Sequence, residues 1–145
     1  MNAKSKKLSR KIVVNSSTEN LSHVRDFIRD AAEECGFSKE TSGKIILAVD
    51  EACTNVIKHA YKYSDEGNIT VEVKFSNSKF SISITDSGTH FDPNKIPEPN
   101  LKKYYDEKKV GGLGMFLMKK LMDEVVYNNL SNDRNQVVLS KYMED

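Results

Sequence analysis

The sequence has no tryptophan, only three prolines and two cysteines, and no long apolar run. Because no run is long enough to cross a bilayer and the basic start has no apolar signal region, we expect a soluble, cytoplasmic protein that does not associate with membranes. Cys35 and Cys53 are far apart and match no metal-site spacing, which indicates reduced thiols on apolar helix faces.

A strong charge of either sign is also missing. The 22 Lys and Arg residues against 21 Asp and Glu give a net charge of +1. Nucleic-acid binders usually have a marked basic excess, so we expect no nucleic-acid partner. Five of the first eleven residues are Lys or Arg, and we predict that residues 1–8 are a flexible basic tail before the first strand. The whole chain, residues 1–145, has the size of one domain.

Two segments have the apolar spacing of helices. The first runs from Leu21 to Cys35 and stops at Gly36, a natural helix end. Ser38 can cap a second, longer helix. The apolar stripe of that second helix consists of Ile45, Val49, Ala52, Val56 and Ala60.

Strands precede and follow these helices in the sequence. "RKIVVN" predicts an edge strand before them, and alternating apolar residues over 69–75 and 80–84 predict a hairpin after them. "GGLGMFLMKKLMDEV" begins another helix, and "EVVYNNL" and "QVVLSKY" are two final strands. This order predicts an α+β fold: a two-layer sandwich in which a mixed, mostly antiparallel sheet has helices on one face. Residues 87–110 hold all three prolines and no periodic pattern, which is typical of a functional lid.

Three polar side chains interrupt the second helix. Glu51, Asn55 and His59 are four residues apart and should share one edge. A carboxylate and a carboxamide one turn apart can share a hard cation such as Mg²⁺, although a solvated polar edge is the more common reason for such a pair. His59 is expected to have a structural role at the end of the helix.

Two glycine-containing motifs follow. In "TDSGTHFDP", Asp86 ends a strand and can accept a hydrogen bond from an exocyclic amine, while Gly88 allows a tight turn and the close approach of a flat ligand. In "GGLG", Gly111, Gly112 and Gly114 precede a helix whose N-terminal amides can bind an anion. Taken singly, each motif is equally compatible with an ordinary turn or hinge.

The order of these motifs resembles the GHKL ATPase superfamily with its Bergerat nucleotide pocket. Within it, "EACTNVIKHAY", "DSGTHFDP" and "GGLGMFLMKKLMDEV" are most similar to the small anti-sigma-factor serine kinases of the RsbW and SpoIIAB type. The resemblance extends from the first strand to "LSKYM".

The resemblance implies a role for each motif residue, with ATP or ADP and Mg²⁺ as the bound groups. Glu51 would be the general base and Asn55 the Mg²⁺ ligand. Asp86 would accept from the adenine amino group, beside Gly88. The segment Gly111, Gly112, Leu113 and Gly114 would hold the phosphates.

The resemblance also implies partners: a STAS-domain anti-sigma-factor antagonist that is phosphorylated on serine, a sigma factor, and a second copy of the chain. Two other functions stay open at this point. One is a nucleotide-binding switch module without kinase activity, and the other is a detached histidine-kinase ATPase domain. The intact Glu51 favours the kinase, and the absence of a phospho-accepting histidine helix upstream counts against the last.

Three positions, in two segments, depart from the family pattern. Asn135 and Gln136 stand where several members have a small pair such as Gly-Thr close to the adenine. Val110, preceded by Lys108 and Lys109, stands where some members have an arginine. Either lysine could neutralise phosphate charge or could simply be solvated.

Overall fold

A computed structural model describes residues 6–89, 114–131 and 133–144. The elements in chain order are β1 (Leu8–Asn15), α1 (Leu21–Cys35), α2 (Lys39–Asn55), β2 (Asn68–Ser76), β3 (Lys79–Asp86), α3 (Gly114–Leu121), β4 (Glu124–Ser131) and β5 (Arg134–Tyr142). A 3₁₀ turn, Thr18–Asn20, precedes α1, and a π-helical turn, Val56–Ala60, continues α2.

The five strands form one sheet in the order β1-β2-β3-β5-β4. Every neighbouring pair is antiparallel, whereas the sequence predicted a mixed, mostly antiparallel sheet. The predicted α+β architecture is confirmed. The first strand is at an edge, as expected, and Leu8, the last residue of the predicted tail, is already paired with Phe75.

The predicted apolar patterns form the core. All five residues of the α2 stripe are buried, as are the alternating residues of the β2–β3 hairpin. In α1 the stripe is also buried, except that Phe27 packs only partly against the core. The apolar stripes of the helices and the buried residues of the sheet belong to one core cluster. This core fixes the position of α2 against the sheet, and the polar side chains of α2 lie outside the core.

The ends of the elements follow local chemistry. Gly36 ends α1 with a φ of 103°, a left-handed conformation that glycine adopts at little cost. The Ser38 side chain accepts a hydrogen bond from the Thr41 amide and caps α2. Asn77 and Ser78 have φ values of 51° and 64° and form the two-residue turn of the hairpin.

Within the described ranges, no helix combines the length and the apolarity that a bilayer span requires.

Candidate functional site

An open slot, with about 460 Å³ of empty space that includes open solvent, lies between the C-terminal half of α2 and strands β3, β4 and β5. Most of its wall is apolar, and the polar side chains are carboxamides, one carboxylate and the Tyr127 phenol. The lining residues are Ala52, Asn55, Val56, Ile84, Asp86, Met118, Tyr127, Asn128, Asn129, Asn135, Gln136 and Val137. An apolar slot with a few fixed polar groups is typical of a small-molecule site.

The tertiary structure brings Asn55 and Asp86 to this cavity from separate elements. Asn55 is the last residue of the regular part of α2, and Asp86 is the last residue of β3. The two motifs are 31 positions apart in the sequence and become two walls of one slot. The sequence predicted both residues as part of a site but did not show that they lie close together.

The helix changes its winding directly after Asn55. The Tyr61 amide donates to the Val56 carbonyl at 3.0 Å, a step of five residues that widens the turn. A π-turn holds more residues than an α-turn, so His59 follows Asn55 in a differently wound part of the helix. For His59, the predicted alignment of all three side chains on one edge stays a prediction. Such π-turns occur often at functional sites.

His59 lies beside Lys58 and is half-buried. Burial, with a smaller contribution from the Lys58 charge, lowers the pKa of its imidazole. The side chain thus favours the neutral form.

The Asn55 side chain has an unsatisfied donor. Its amide nitrogen Nδ2 is buried and has no hydrogen-bond partner among the residues described. Leaving a buried donor unpaired costs free energy, so such atoms are rare in folded proteins. An orphaned amide in the wall of an open slot indicates a position that a ligand or its hydration shell completes.

Glu51 lies one turn before Asn55 and is half-buried. Burial raises the pKa of its carboxyl, the neighbouring Asp50 charge raises it further, and Lys58 opposes both. A carboxylate whose pKa is raised is a stronger base than an exposed one. Asp50 itself pairs with Arg25 of α1, with 2.8 Å between the Arg25 Nε and the Asp50 Oδ1.

Asp86 forms the opposite wall and is only 3% exposed. Its Oδ1 accepts hydrogen bonds from the Gly88 amide and from the Asn135 amide nitrogen Nδ2, each at 2.9 Å. Donors of this kind stabilise a buried carboxylate and fix its orientation. Asn135 is thus a direct neighbour of Asp86, and Gln136 instead donates to Thr85 at 3.2 Å.

Gly88 is required for packing. A Cβ built at this position would lie 2.6 Å from the Ala60 carbonyl oxygen, much closer than any tolerated contact. The following amide, of Thr89, donates to the same oxygen at 2.8 Å. The D-x-G turn therefore rests directly on the π-turn and joins the two walls. The approach of a flat ligand, which the sequence also suggested for Gly88, stays a prediction.

Tyr61 was missed by sequence reasoning. Its hydroxyl donates to the Asn68 carbonyl at 2.6 Å and accepts from the Ser87 amide at 2.8 Å. Its ring lies against Gly67, where a Cβ would come within 2.3 Å of a ring carbon. The tyrosine thereby ties the start of β2 to the end of β3, beside Asp86.

The β4 wall was also missed. Tyr127, Asn128 and Asn129 line the slot, and Met118 of α3 lines it as well. Burial raises the pKa of the Tyr127 phenol to about 12, so this hydroxyl stays neutral. The alternation in "EVVYNNL" places Tyr127 on the same face as Val125, a signal that could have predicted its inward position.

The lid prediction falls mostly outside the described residues. Gly111, Gly112 and Leu113 lie outside them, as do His90, Lys108, Lys109 and Val110. Residues 87–89 belong to the turn that follows β3, and Gly114 is the first residue of α3.

The site has oxygen donors suited to a hard cation but no preformed cage. In the described part of the chain, no three His, Cys, Asp or Glu side chains lie close enough together to hold a metal. Mg²⁺ retains several waters and needs few protein ligands, so the Asn55 carboxamide oxygen with Glu51 nearby fits such an ion.

The chain matches the model of the histidine kinase-like ATPase domain over residues 14–141. It is 37% identical to the serine-protein kinase RsbW of Listeria monocytogenes serotype 4a (strain HCC23) over 79% of this chain and 74% of that protein. It is also 30% identical to the serine-protein kinase RsbW of Bacillus subtilis (strain 168), over 90% of this chain and 82% of that protein.

Two solved structures share the fold. One contains the RsbU and RsbW domains of a Mycobacterium tuberculosis protein, with a TM-score of 0.67 and 16% identity; the match covers 93% of this chain and 32% of that longer one. The other is the SiaB–SiaC complex of Pseudomonas aeruginosa, with a TM-score of 0.63, 10% identity and coverage of 90% and 88%. The chain therefore belongs to the histidine kinase-like ATPase domain family, in its RsbW-like branch.

Proposed function

We propose that this chain is an ATP-dependent protein serine kinase that also acts as an anti-sigma factor in a partner-switching system. One observation carries the proposal. A half-buried carboxylate with a raised pKa, Glu51, lies one helical turn before Asn55. Asn55, whose amide nitrogen has no partner among the described residues, lines the slot together with the buried acceptor Asp86. The RsbW relatives, which are named serine-protein kinases, support the same function.

ATP, when bound, supplies the phosphoryl group that is transferred. The chain contributes binding and orientation. The apolar walls from Val56, Ile84 and Val137 suit the faces of a purine, and Asp86 suits its amino group as an acceptor. Gly111, Gly112 and Gly114, with Leu113 between them, are proposed to offer their backbone amides to the phosphates where α3 begins.

Asn55 is proposed as the Mg²⁺ ligand, through its carboxamide oxygen. That assignment leaves the amide nitrogen for a phosphate oxygen or a bound water, which would satisfy the donor that is now unpaired. Phosphoryl transfer depends mainly on such positioning and on charge neutralisation.

Glu51 is proposed as the general base. Its raised pKa suits it to accept the proton that a substrate serine loses when its hydroxyl attacks. Because Glu51 and Asn55 are on successive turns of a helix anchored in the core, the separation of base and metal ligand is held by rigid structure.

The substrate is proposed to be a serine of a STAS-domain anti-sigma-factor antagonist, and the alternative partner is a sigma factor. The RsbW relatives and the shared fold with the SiaB–SiaC complex support a partner-switching role. We also propose that the chain forms a homodimer and acts in the cytoplasm, where sigma factors are found.

Phosphate transfer to candidate partners tests the proposal. The protein is incubated with γ-labelled ATP, Mg²⁺ and STAS proteins from the same genome, and label is followed on each partner. We expect label on a partner serine, and its loss with Glu51→Ala while ATP still binds. ATP binding without transfer to any partner would identify a nucleotide-binding switch module without kinase activity.

A further inference from the structure

We propose that Asn135 is a positioning residue that fixes the carboxylate of Asp86 to recognise the 6-amino group of a purine nucleotide. This inference rests on the proposed ATP binding and deepens it. It assigns base discrimination to a pair of residues, Asp86 and Asn135, where sequence reasoning assigned it to Asp86 alone.

The sheet register creates this pair. Asp86 of β3 and Asn135 of β5 are directly opposite each other, so their side chains project from the same face at the same level. Both line the slot. A donor at this register position meets the carboxylate without any rearrangement of the backbone.

The orientation of the Asn135 amide follows from its neighbours. Its Nδ2 lies 2.9 Å from the Asp86 Oδ1 and 3.4 Å from the Gly88 carbonyl oxygen. Both neighbours are acceptors, so the atom that faces them is the NH₂ group, which has two hydrogens to donate. The side chain therefore links the carboxylate to the backbone of the D-x-G turn.

Two donors on one oxygen restrict the whole carboxylate. The Gly88 amide and the Asn135 amide both bind Oδ1, from two different elements, so rotation about the terminal bond would break both bonds. The direction of the second oxygen is then set before a nucleotide arrives. Such preorganisation increases affinity because less ordering remains to be done on binding.

The same two contacts match an ionised carboxylate, because both are donors. A carboxylate that is 3% exposed loses nearly all its hydration, and hydrogen bonds to its negative charge compensate. An ionised Asp86 is an acceptor only and matches a donor, the amino group of adenine. Without Asn135, one of the two donors that hold this state is lost.

The neighbouring residue offers a matched control. Gln136 is also a carboxamide on β5, but it donates to the Thr85 hydroxyl at 3.2 Å and accepts from Asn128 at 3.2 Å. Among the described residues, its side chain bonds Thr85 and Asn128 and not Asp86. Removal of the Gln136 carboxamide should change local packing but leave the hydrogen bonds to the Asp86 carboxylate intact.

The experiment measures the binding of two nucleotides by calorimetry in the presence of Mg²⁺. One is ATP, and the other is purine riboside triphosphate, which lacks only the 6-amino group. The proteins are the wild type, Asn135→Leu and Gln136→Leu. We expect the wild type to prefer ATP, and Asn135→Leu to lose about tenfold in ATP affinity, equivalent to one good hydrogen bond, with little change for the analogue. Gln136→Leu also removes a carboxamide that lines the slot, so it should change the affinity for both nucleotides by the same factor and retain the preference for ATP.

Several results would overturn the inference. Equal weakening of both nucleotides by Asn135→Leu would indicate a general structural role, and no weakening of either would indicate no role. A wild type that binds ATP and the analogue equally would refute recognition of the amino group while leaving nucleotide binding intact. A wild type that binds neither would overturn the proposed function as well. If Asn135→Leu does not fold, Asn135→Ala is measured in the same way against the same expectations.

Discussion

The two walls of the slot differ in whether their polar groups already have hydrogen-bond partners in the protein. On the β3 wall, the Asp86 carboxylate already receives two hydrogen bonds from the protein. On the α2 wall, the Asn55 amide nitrogen is buried and has no partner within the described residues. On the β3 wall the protein itself supplies the hydrogen-bond donors, whereas on the α2 wall a ligand could supply the acceptor for the Asn55 amide. This difference separates base recognition, which the protein organises in advance, from the phosphate and metal region, which forms with the ligand.

The largest effect is expected on the β3 wall. Asp86→Asn keeps the shape but replaces an ionised acceptor with an amide and places it against the NH₂ group of Asn135. We expect ATP affinity to fall by about ten- to a hundredfold, since hydrogen bonds to charged groups contribute about 1.5–3 kcal/mol. Calorimetry with ATP measures the change, and unchanged affinity would contradict the role given to Asp86.

A matched pair of substitutions tests the contrast itself. Asn135→Ala removes a bond to a charged group and should lower the unfolding free energy of the ligand-free protein by about 1.5–3 kcal/mol. Asn55→Ala removes an unsatisfied donor and should change that free energy by less than about 1 kcal/mol. Urea denaturation measures both.

Asn55→Ala should act on ligand binding instead. We expect about a tenfold loss of nucleotide affinity in Mg²⁺ and a smaller loss when the metal is chelated. Equal losses of nucleotide affinity with and without Mg²⁺ would contradict the role of Asn55 as the metal ligand.

The junction of the two walls should be sensitive to a single methyl group. Gly88→Ala places a Cβ against the Ala60 carbonyl and should destabilise the protein by about 1–3 kcal/mol. Gly43→Ala is the control, because a Cβ there meets nothing within 4 Å and this exposed helical site should gain about 1 kcal/mol. Thermal unfolding distinguishes the two, and a neutral Gly88→Ala would show that the walls are not joined at this turn.

The smallest effect is a shift of a pH profile. Burial and then Asp50 raise the pKa of Glu51, so transfer should decline with falling pH at a higher pH than an exposed glutamate would give. Lys58 opposes that shift, so Lys58→Met should move the acid limb of kcat further up. Lys44→Met is the control. Lys44 pairs with Glu40 at 3.9 Å, so its removal should leave the acid limb of kcat at the same pH. A downward movement with Lys58→Met would contradict Glu51 as the base.

Several parts of the fold were predictable because they depend on local periodicity. The stripe from Ile45 to Ala60 and the alternation over 69–75 each specify one buried face, and both are buried as expected. The π-turn was not predictable. The apolar stripe continues through Val56 and Ala60 whichever way the helix winds, so no spacing in the sequence indicated the change of winding.

The sequence alone determined the α+β class, the helix that carries Glu51 and Asn55, and the strand that ends in Asp86. It did so because hydrophobic period, caps and turn residues act over a few positions. Only the tertiary structure decided that Asn135 lies opposite Asp86, that Gly88 rests on Ala60, and that the Asn55 amide nitrogen has no partner in the part of the chain that the structure describes. These facts depend on sheet register and on close packing between residues far apart in the chain, which no local pattern encodes.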